Sequence, residues 1–319
     1  MRMLAAVLLV VGFAAPASEA AKPKSTLAYQ YYTKGVELNA RKKWEEALKQ
    51  YQSAIDLNPS FVTCYIEFAR ASVMLGRRQQ GLGKLEAAMA VARTKEDRER
   101  IQRERESLSE IFYTNDTFQQ YQNGLNYLRL DRSGSSIEAL DRARQTEPDN
   151  LLVLSAYARA LRQEDRTKEA IPVLERALAL NDGKREVRLE LAEASLGSNP
   201  GRSHELLQAT LAGGIDERGT ILDAQALSAL KRNREAIEAM RILFEKQPSS
   251  LYAPFWLGKL YEKESNGAWN ARKYLMTFIR RAEPQVVGMK DDGSPELRLL
   301  KATRAEADQI LARVNRSLE

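Results

Sequence analysis

The chain has 319 residues, 29% of them charged and 44% hydrophobic, with a mean hydropathy of -0.47; it is long enough for one large core or two ordinary domains, too polar for a bundle of membrane spans and too apolar for global disorder. One cysteine, Cys64, and one histidine, His204, exclude an internal disulfide, most metal sites and an ordinary nucleophile–histidine pair. The formal net charge of +6 and pI of about 9.2 direct attention to anionic or acidic partners.

The first predicted element is a leader. Arg2 gives a positive start, an apolar run extends from Met3 to Ala15, and Ser18 and Ala20 frame a cut before Ala21. About 13 apolar residues would span only about 20 Å as a helix, against roughly 30 Å of bilayer core, so residues 1–20 are expected to be a cleaved signal peptide and not an anchor. No cysteine follows the run, so lipid attachment is not expected. An exported chain of this size without paired cysteines points to a bacterial periplasm. There the anionic partners within reach are phospholipid headgroups, lipopolysaccharide, cell-wall polymers and acidic proteins; nucleic acid is not among them.

From Ala28 the sequence reads as paired helices. Tyr31, Gly35 and Leu38 are followed by Ala47, Tyr51, Ala54 and Pro59, and the small residue at Gly35 returns at Ala69, Gly124, Ala158, Ala192, Ala224 and Gly258. The spacing is 34 residues except for 55 between Ala69 and Gly124 and 32 between Ala192 and Ala224. Second-helix positions follow in step: Gly81, Leu85 and Ala88; Leu140, Ala143 and Pro148; Ala170, Leu174 and Ala177; Ala236, Met240 and Pro248. Small residues let two helix backbones approach, the large apolar residues around them fill the ridges, and the prolines help end second helices because they lack the N–H a continuing helix needs. Each pair leaves an apolar face bare that only a neighbour can cover, so the units must stack.

This pattern resembles the tetratricopeptide repeat. The resemblance implies an all-α fold, a right-handed superhelical solenoid of about seven helix–turn–helix repeats with a C-terminal capping helix. Repeats one and two would occupy 21–92, a charged helical insertion 93–116, repeats three to seven 117–284, and a loop with the capping helix 285–319. In the insertion, Arg93 to Glu110 carries opposite charges at i,i+4 spacing (Glu96/Arg100, Arg100/Glu104, Glu99/Arg103), which reads as a solvated helix face with Ile101, Leu108, Ile111 and Phe112 packed beneath. After Pro284, residues 285–293 read as a loop with a turn at Asp291, Asp292 and Gly293; Ser294 caps the last helix, Pro295 takes its first position, and Leu300, Ala307, Ile310, Leu311, Val314 and Leu318 share one face.

No HExxH, GxSxG, P-loop or glycine-rich dinucleotide turn is present. His204 reads as a partly exposed surface residue and Cys64 as a buried small hydrophobe, with a redox role as its alternative. Carboxylate pairs such as Glu45/Glu46 and Glu262/Glu264 are what a highly charged helical chain shows on its wet faces. The chain is therefore read as no enzyme, with no cofactor and no metal.

The resemblance further implies that the first helix of each pair lines a groove. Carried residue by residue, the groove would hold Tyr29, Tyr32, Val36 and Asn39, then Ile66 and Arg70, then Phe118, Tyr121, Leu125 and Leu128. It continues with Ser155, Arg159 and Arg162, then Glu186, Leu189 and Glu193, then Ile221 and Gln225, and finally Tyr252, Phe255 and Lys259. Such a groove is aromatic at its start, basic near Arg159 and Arg162 and acidic near Glu186 and Glu193, which suits an extended peptide or a helix of an envelope protein. A carrier or receptor for a peptide or glycan is the alternative. The Lys and Asn clamp by which some relatives hold a C-terminal carboxylate is not reproduced, because Tyr32 and Val36 stand in its places. A second surface, with Lys259, Lys263, Arg272, Lys273, Arg280 and Arg281 around Trp256, Trp269, Tyr274 and Phe278, would suit an anionic cell-wall or membrane surface.

Overall fold

The computed structural model describes residues 24–288 and 294–319. The expected signal peptide at 1–20 and the turn at 291–293 lie outside the described residues. Among the described residues there are sixteen helices and no strand, so the fold is an all-α repeat. The first helices are α1 (Lys24–Ala40), α2 (Trp44–Leu57), α3 (Val62–Met74), α4 (Arg78–Val91) and α5 (Lys95–Glu110). They are followed by α6 (Asn115–Arg129), α7 (Ser133–Thr146), α8 (Leu151–Gln163), α9 (Thr167–Leu180), α10 (Arg185–Ser195) and α11 (Pro200–Leu211). The chain ends with α12 (Glu217–Ala229), α13 (Asn233–Lys246), α14 (Tyr252–Glu262), α15 (Ala268–Gly288) and α16 (Pro295–Leu318). None is long and apolar enough to cross a membrane.

Seven antiparallel pairs result: α1/α2, α3/α4, α6/α7, α8/α9, α10/α11, α12/α13 and α14/α15, with α16 packed on α15. Small residues set how closely each pair meets. A Cβ built on Gly35 would stand 2.5 Å from the Tyr51 ring, and one on Gly124 would overlap Leu140, so at both places the second helix fills the space a side chain would need. Ala69, Ala158, Ala192 and Ala224 do the same work with a methyl and are fully buried.

Five pairs share one turn. Lys42, Gly76, Asp131, Asp165 and Lys231 all have φ between 56° and 76°. Each is followed by an N–H that reaches back over the helix end: Lys43 to Leu38, Arg77 to Ser72, Arg132 to Tyr127 and Arg166 to Leu161 at 2.9 Å, and Arg232 to Leu227 at 2.8 Å. This left-handed residue with its long return bond satisfies carbonyls that the ending helix leaves open. The α10/α11 turn is built differently: the Asn199 side chain accepts from the Arg202 N–H and Pro200 takes the first turn.

The molecule divides into two compact units, one ending at Ile101 and the other running from Gln102 to Glu319, so the boundary falls inside α5. In the first unit Cys64 is fully buried, its Sγ donates to the Tyr51 carbonyl at 3.3 Å, and burial pushes its thiol up to about 12, which leaves almost no thiolate. In the second unit the end of α5 is tied to the α9–α10 turn: Arg105 pairs with Asp182 at 2.6 Å and donates to the Leu180 carbonyl at 3.2 Å, and Glu110 pairs with Lys184. Ile101 and Leu108 are buried as expected, and Phe112 packs on Phe118 and Tyr121, but Ile111 is exposed. The backbone around Ile111 is held instead by its carbonyl, which accepts from Asn150.

Two boundaries differ from expectation. α6 begins at Asn115, capped by the Thr114 side chain. α15 runs through Pro284 to Gly288, where a loop from 285 was expected. The proline removes one backbone donor, yet Val286 beyond it is partly buried against the core cluster of α14, α15 and α16, and that burial carries the helix on.

Candidate partner-binding site

In the second unit the first helices of successive pairs are joined by a ladder of opposite charges. Arg159 on α8 donates to Glu190 on α10 at 2.9 Å, and Arg162 reaches Glu193 one turn on at 2.8 Å. Glu193 also receives Arg218 of α12 at 2.8 Å, and the other arm of Arg218 pairs with Glu186. Each helix thus supplies the charge its neighbour lacks. Burial alone would raise the Glu193 carboxyl, but hydrogen bonds from Arg218 and Arg162 hold it below the usual carboxylate range. Burial pushes Glu190 the other way, above that range, against the pull of Arg159.

Beyond the ladder lies a cleft of about 710 Å³ between α10, α12, α14 and α16. Ile221, Leu222, Tyr252, Trp256 and Leu299 give it apolar surface, while Glu193, Asp216, Glu217, Arg218 and Glu306 supply charge and Gln225 and Thr303 neutral polar groups. Most of these charges are already held: Asp216 by Arg185 at 2.8 Å, Glu306 by Lys259 at 2.6 Å, and Glu217 accepts the Ser250 hydroxyl at 2.6 Å. Lys259 also sits over the Trp256 ring, 4.8 Å from its centroid. Trp256 is half-buried and Leu299 is 59% exposed, so both offer apolar surface to an occupant.

The residues expected in the groove divide into three groups. Tyr29 (61% exposed), Phe118 (40% exposed), Val36 and Arg70 present open surface, the last hydrogen-bonded to Glu67. Tyr32, Asn39, Tyr121, Leu125, Leu128 and Tyr252 are half-buried; Tyr32 leans on Phe61 at 5.0 Å and Tyr29 at 6.0 Å, and burial raises the hydroxyls of Tyr32, Tyr121 and Tyr252. Phe255 lines the cleft but is only 2% exposed, because its ring also packs on Phe278; Ile66 and Leu189 are buried as well. The basic region at Arg159 and Arg162 and the acidic one at Glu186 and Glu193 are likewise not separate patches, because they neutralise one another across helices. Lys259 belongs with them through Glu306.

Glu190, Arg218, Leu299, Thr303 and Glu306 were not foreseen. One signal was available: Glu186 and Arg218 each stand six residues before the small residue of their helix, so opposite charges share one register. α16 carries no repeat signature and gave none. His204 is partly exposed as expected, with Nδ1 2.6 Å from the buried Asp223, whose other oxygen accepts from Gln208 at 3.1 Å. The expected anionic-surface patch is partly spent inward: Phe278 is buried, Lys263 donates to Ser228, and Arg281 donates to the Pro248 and Ser250 carbonyls over the Phe244 ring. Trp269, with Arg272 above it, stays in solvent.

Stacked helix pairs with close small-residue crossings and a shared left-handed turn define a helical-repeat protein. Residues 153–194, from α8 into α10, match the family model described as tetratricopeptide repeat, and helix pairs of the same build stand on either side of that segment. Among solved structures the chain is similar to the MamA RS-1 ArsTM double mutant (16% identity over 54% of this chain and 97% of that one, TM-score 0.49). It is also similar to a tetratricopeptide repeat protein from Parabacteroides merdae (12%, 88% and 99%, TM-score 0.43) and to pilF of Pseudomonas aeruginosa (16%, 76% and 100%, TM-score 0.38). No curated protein matches the sequence.

Proposed function

We propose that the protein is a non-enzymatic scaffold, exported to a bacterial periplasm, that holds an extended peptide or a helix of an envelope protein against the first helices of its second unit. The observation that carries this reading is the cleft between α10, α12, α14 and α16. It combines exposed apolar surface at Leu299 and Trp256 with charged walls already fixed by ion pairs, so a partner meets a preorganised surface and loses little to ordering it. An elongated partner segment suits such a mixed surface better than a compact metabolite does. The leader-like start of the sequence supports export.

Two measurements test the two halves. Fractionation with intact-mass analysis should find the chain in the periplasm, beginning near Ala21; a cytoplasmic, full-length chain sinks the export claim. For binding, a photo-crosslinking residue placed in living cells at Gln225 or Leu299 should give one defined protein adduct, and the same residue at the exposed Glu238 of α13 should not. Equal capture from both faces, or none from the cleft, removes the scaffold assignment.

A further inference from the structure

All but one of the carboxylates on the wall of the cleft between α10, α12, α14 and α16 have a cation of the chain beside them. Glu193 is held by Arg162 and Arg218, Asp216 by Arg185 and Glu306 by Lys259. Glu217, in the first turn of α12, makes no ion pair among the described residues; its one partner there is the Ser250 hydroxyl, which donates to Oε1 at 2.6 Å. Ser250 in turn accepts from the Ala253 N–H at 2.9 Å, so the start of α14 fixes where the carboxylate stands. Glu217 is only partly buried and lines the same cleft as Tyr252, whose hydroxyl is raised by burial first and by the Glu217 charge after it. One turn further along α14 the cleft already holds a cation. The Lys259 ammonium lies 4.8 Å from the centroid of the Trp256 ring and 2.6 Å from a Glu306 oxygen, so a ring and a carboxylate hold it together.

We propose that the cleft takes a basic segment of the partner, with one lysine or arginine side chain paired to Glu217 and laid along Tyr252. The inference rests on the groove reading above and names the chemistry of the bound segment. Glu217 and Tyr252 repeat the carboxylate and ring that hold Lys259, with no cation from the described residues, and a partner's side chain supplies one. The other side-chain chemistries each lose something. A carboxylate would stand as a like charge beside Glu217, Glu193 and Glu306. An apolar group would take water from the Glu217 carboxylate and give nothing in return, which is costly for an ionised group. A neutral amide would give it a hydrogen bond but no charge. Lysine and arginine also carry apolar stems, which suit the exposed Leu299 and the half-buried Ile221 on the same wall. Gln225, two turns beyond Glu217 on α12 and about 12 Å along its axis, lines the cleft as well, which leaves room for about four extended residues. The chain's net charge of +6 does not oppose this, because charges elsewhere on the surface are screened beyond about 8 Å whereas a charge-assisted hydrogen bond acts at contact.

The test is a displayed library of random peptides panned on the purified full chain, with Glu217→Gln, Tyr252→Leu and Leu299→Arg run beside wild type. Wild type should enrich peptides with Lys or Arg at one fixed place, and synthetic copies with Gln, Leu or Glu there should bind about tenfold more weakly, the loss expected for one hydrogen bond to a charged group. Added salt should weaken the basic peptides and leave the Leu copies unchanged. Glu217→Gln keeps an acceptor for Ser250 but removes the charge, so basic peptides and their Gln copies should then bind equally. Tyr252→Leu leaves Glu217 in place and should narrow the preference about threefold, and it carries the test if the Gln variant melts early. Leu299→Arg puts a cation into the cleft from an exposed position and should block every peptide bound there. Enrichment of acidic or purely apolar peptides, or a basic preference unchanged in the folded variants, overturns the inference and leaves the groove reading standing. Recovery of no peptide, or only of peptides that still bind Leu299→Arg, overturns both.

Discussion

The two units solve the same stacking problem with their polar contacts on opposite sides. In the first unit the second helices carry the cross-links: Arg77 at the start of α4 pairs with Glu45 of α2, and Lys84 donates to Gln52 at 2.7 Å, while Tyr29 and Tyr32 lie on the first helix of their pair. In the second unit the first helices carry them, through Arg159, Arg162, Glu186, Glu190, Glu193 and Arg218. The repeat frame therefore leaves open which face is glued. Where the glue lies on the first helices, the groove becomes charged but neutral on balance, and its specificity comes from hydrogen-bond geometry instead of net charge.

The division into units is broken most severely by deleting a core side chain from one of them. Tyr51→Ala removes the ring that fills the Gly35 crossing and should destabilise the first unit by about 3–5 kcal/mol; Leu140→Ala, against Gly124, should cost the second about 2–5 kcal/mol. Hydrogen exchange read by mass spectrometry should show α1 to α4 opening in the first variant with α8 to α16 still protected, and the reverse pattern in the second. Opening of the whole chain in either case would make the two units one cooperative block.

Reversing one charge on each side compares the two kinds of glue directly. Arg218→Glu places a third carboxylate against Glu186 and Glu193 and should lower stability by about 2 kcal/mol, whereas Arg77→Glu breaks a solvent-exposed pair and should change it by less than about 1 kcal/mol. Urea unfolding at low and high salt gives both numbers, and salt should narrow the gap between them. Equal losses would mean that the ladder is surface decoration.

Acid separates the two carboxylates of α10. Glu193 lies below the usual range when folded, so its stabilisation is complete above the unfolded value of about 4.3 and is lost as pH falls through its lower folded value. Glu190 lies above the range, so its ionised form weakens the fold at neutral pH, and that penalty lifts as pH falls through its raised value. Urea midpoints should therefore hold or rise on mild acidification and then drop. Glu190→Gln should abolish the first phase and keep the second; Glu193→Gln should do the opposite.

Much of this architecture was legible in the spacing of small residues, because a helix crossing admits so few side chains that Gly35, Gly124 and Ala158 mark their pairs unaided. The groove was less legible. Position along a helix tells which face a residue shares, but not whether a neighbour's charge lies within 3 Å, so Arg159 and Glu193 read as open patches when each is half of a pair. Phe255 shares the register of groove residues and lines the cleft, yet it shows almost no surface there because α15 brings Phe278 beneath it. Glu190 sits two residues before Ala192, a place that reads as core, and only the packing of α8 shows that a carboxylate there has Arg159 for a partner. Pro284 reads as a stop because local chemistry says so; the burial of Val286 that overrides it is tertiary and invisible to the local pattern.

The smallest effect tests what the units share. The left-handed turn residue is Gly76 in α3/α4 but Lys42, Asp165 and Lys231 in its counterparts. A side chain in that conformation is strained by roughly 1 kcal/mol, and glycine relieves it while adding freedom to the unfolded chain worth roughly 0.5–1 kcal/mol. Lys42→Gly and Asp165→Gly should therefore each shift stability by no more than about 0.5 kcal/mol toward the folded state. Gly76→Ala reverses that balance and should cost no more than about 0.5 kcal/mol, and since a Cβ there meets nothing within 4 Å, the whole cost is conformational. The two glycine substitutions, measured by thermal melting, should act alike although Lys42 lies in the first unit and Asp165 in the second. If Asp165→Gly destabilised by more than Lys42→Gly stabilised, the turn would be held by side-chain contacts particular to the second unit, and the repeat frame would not be common to both.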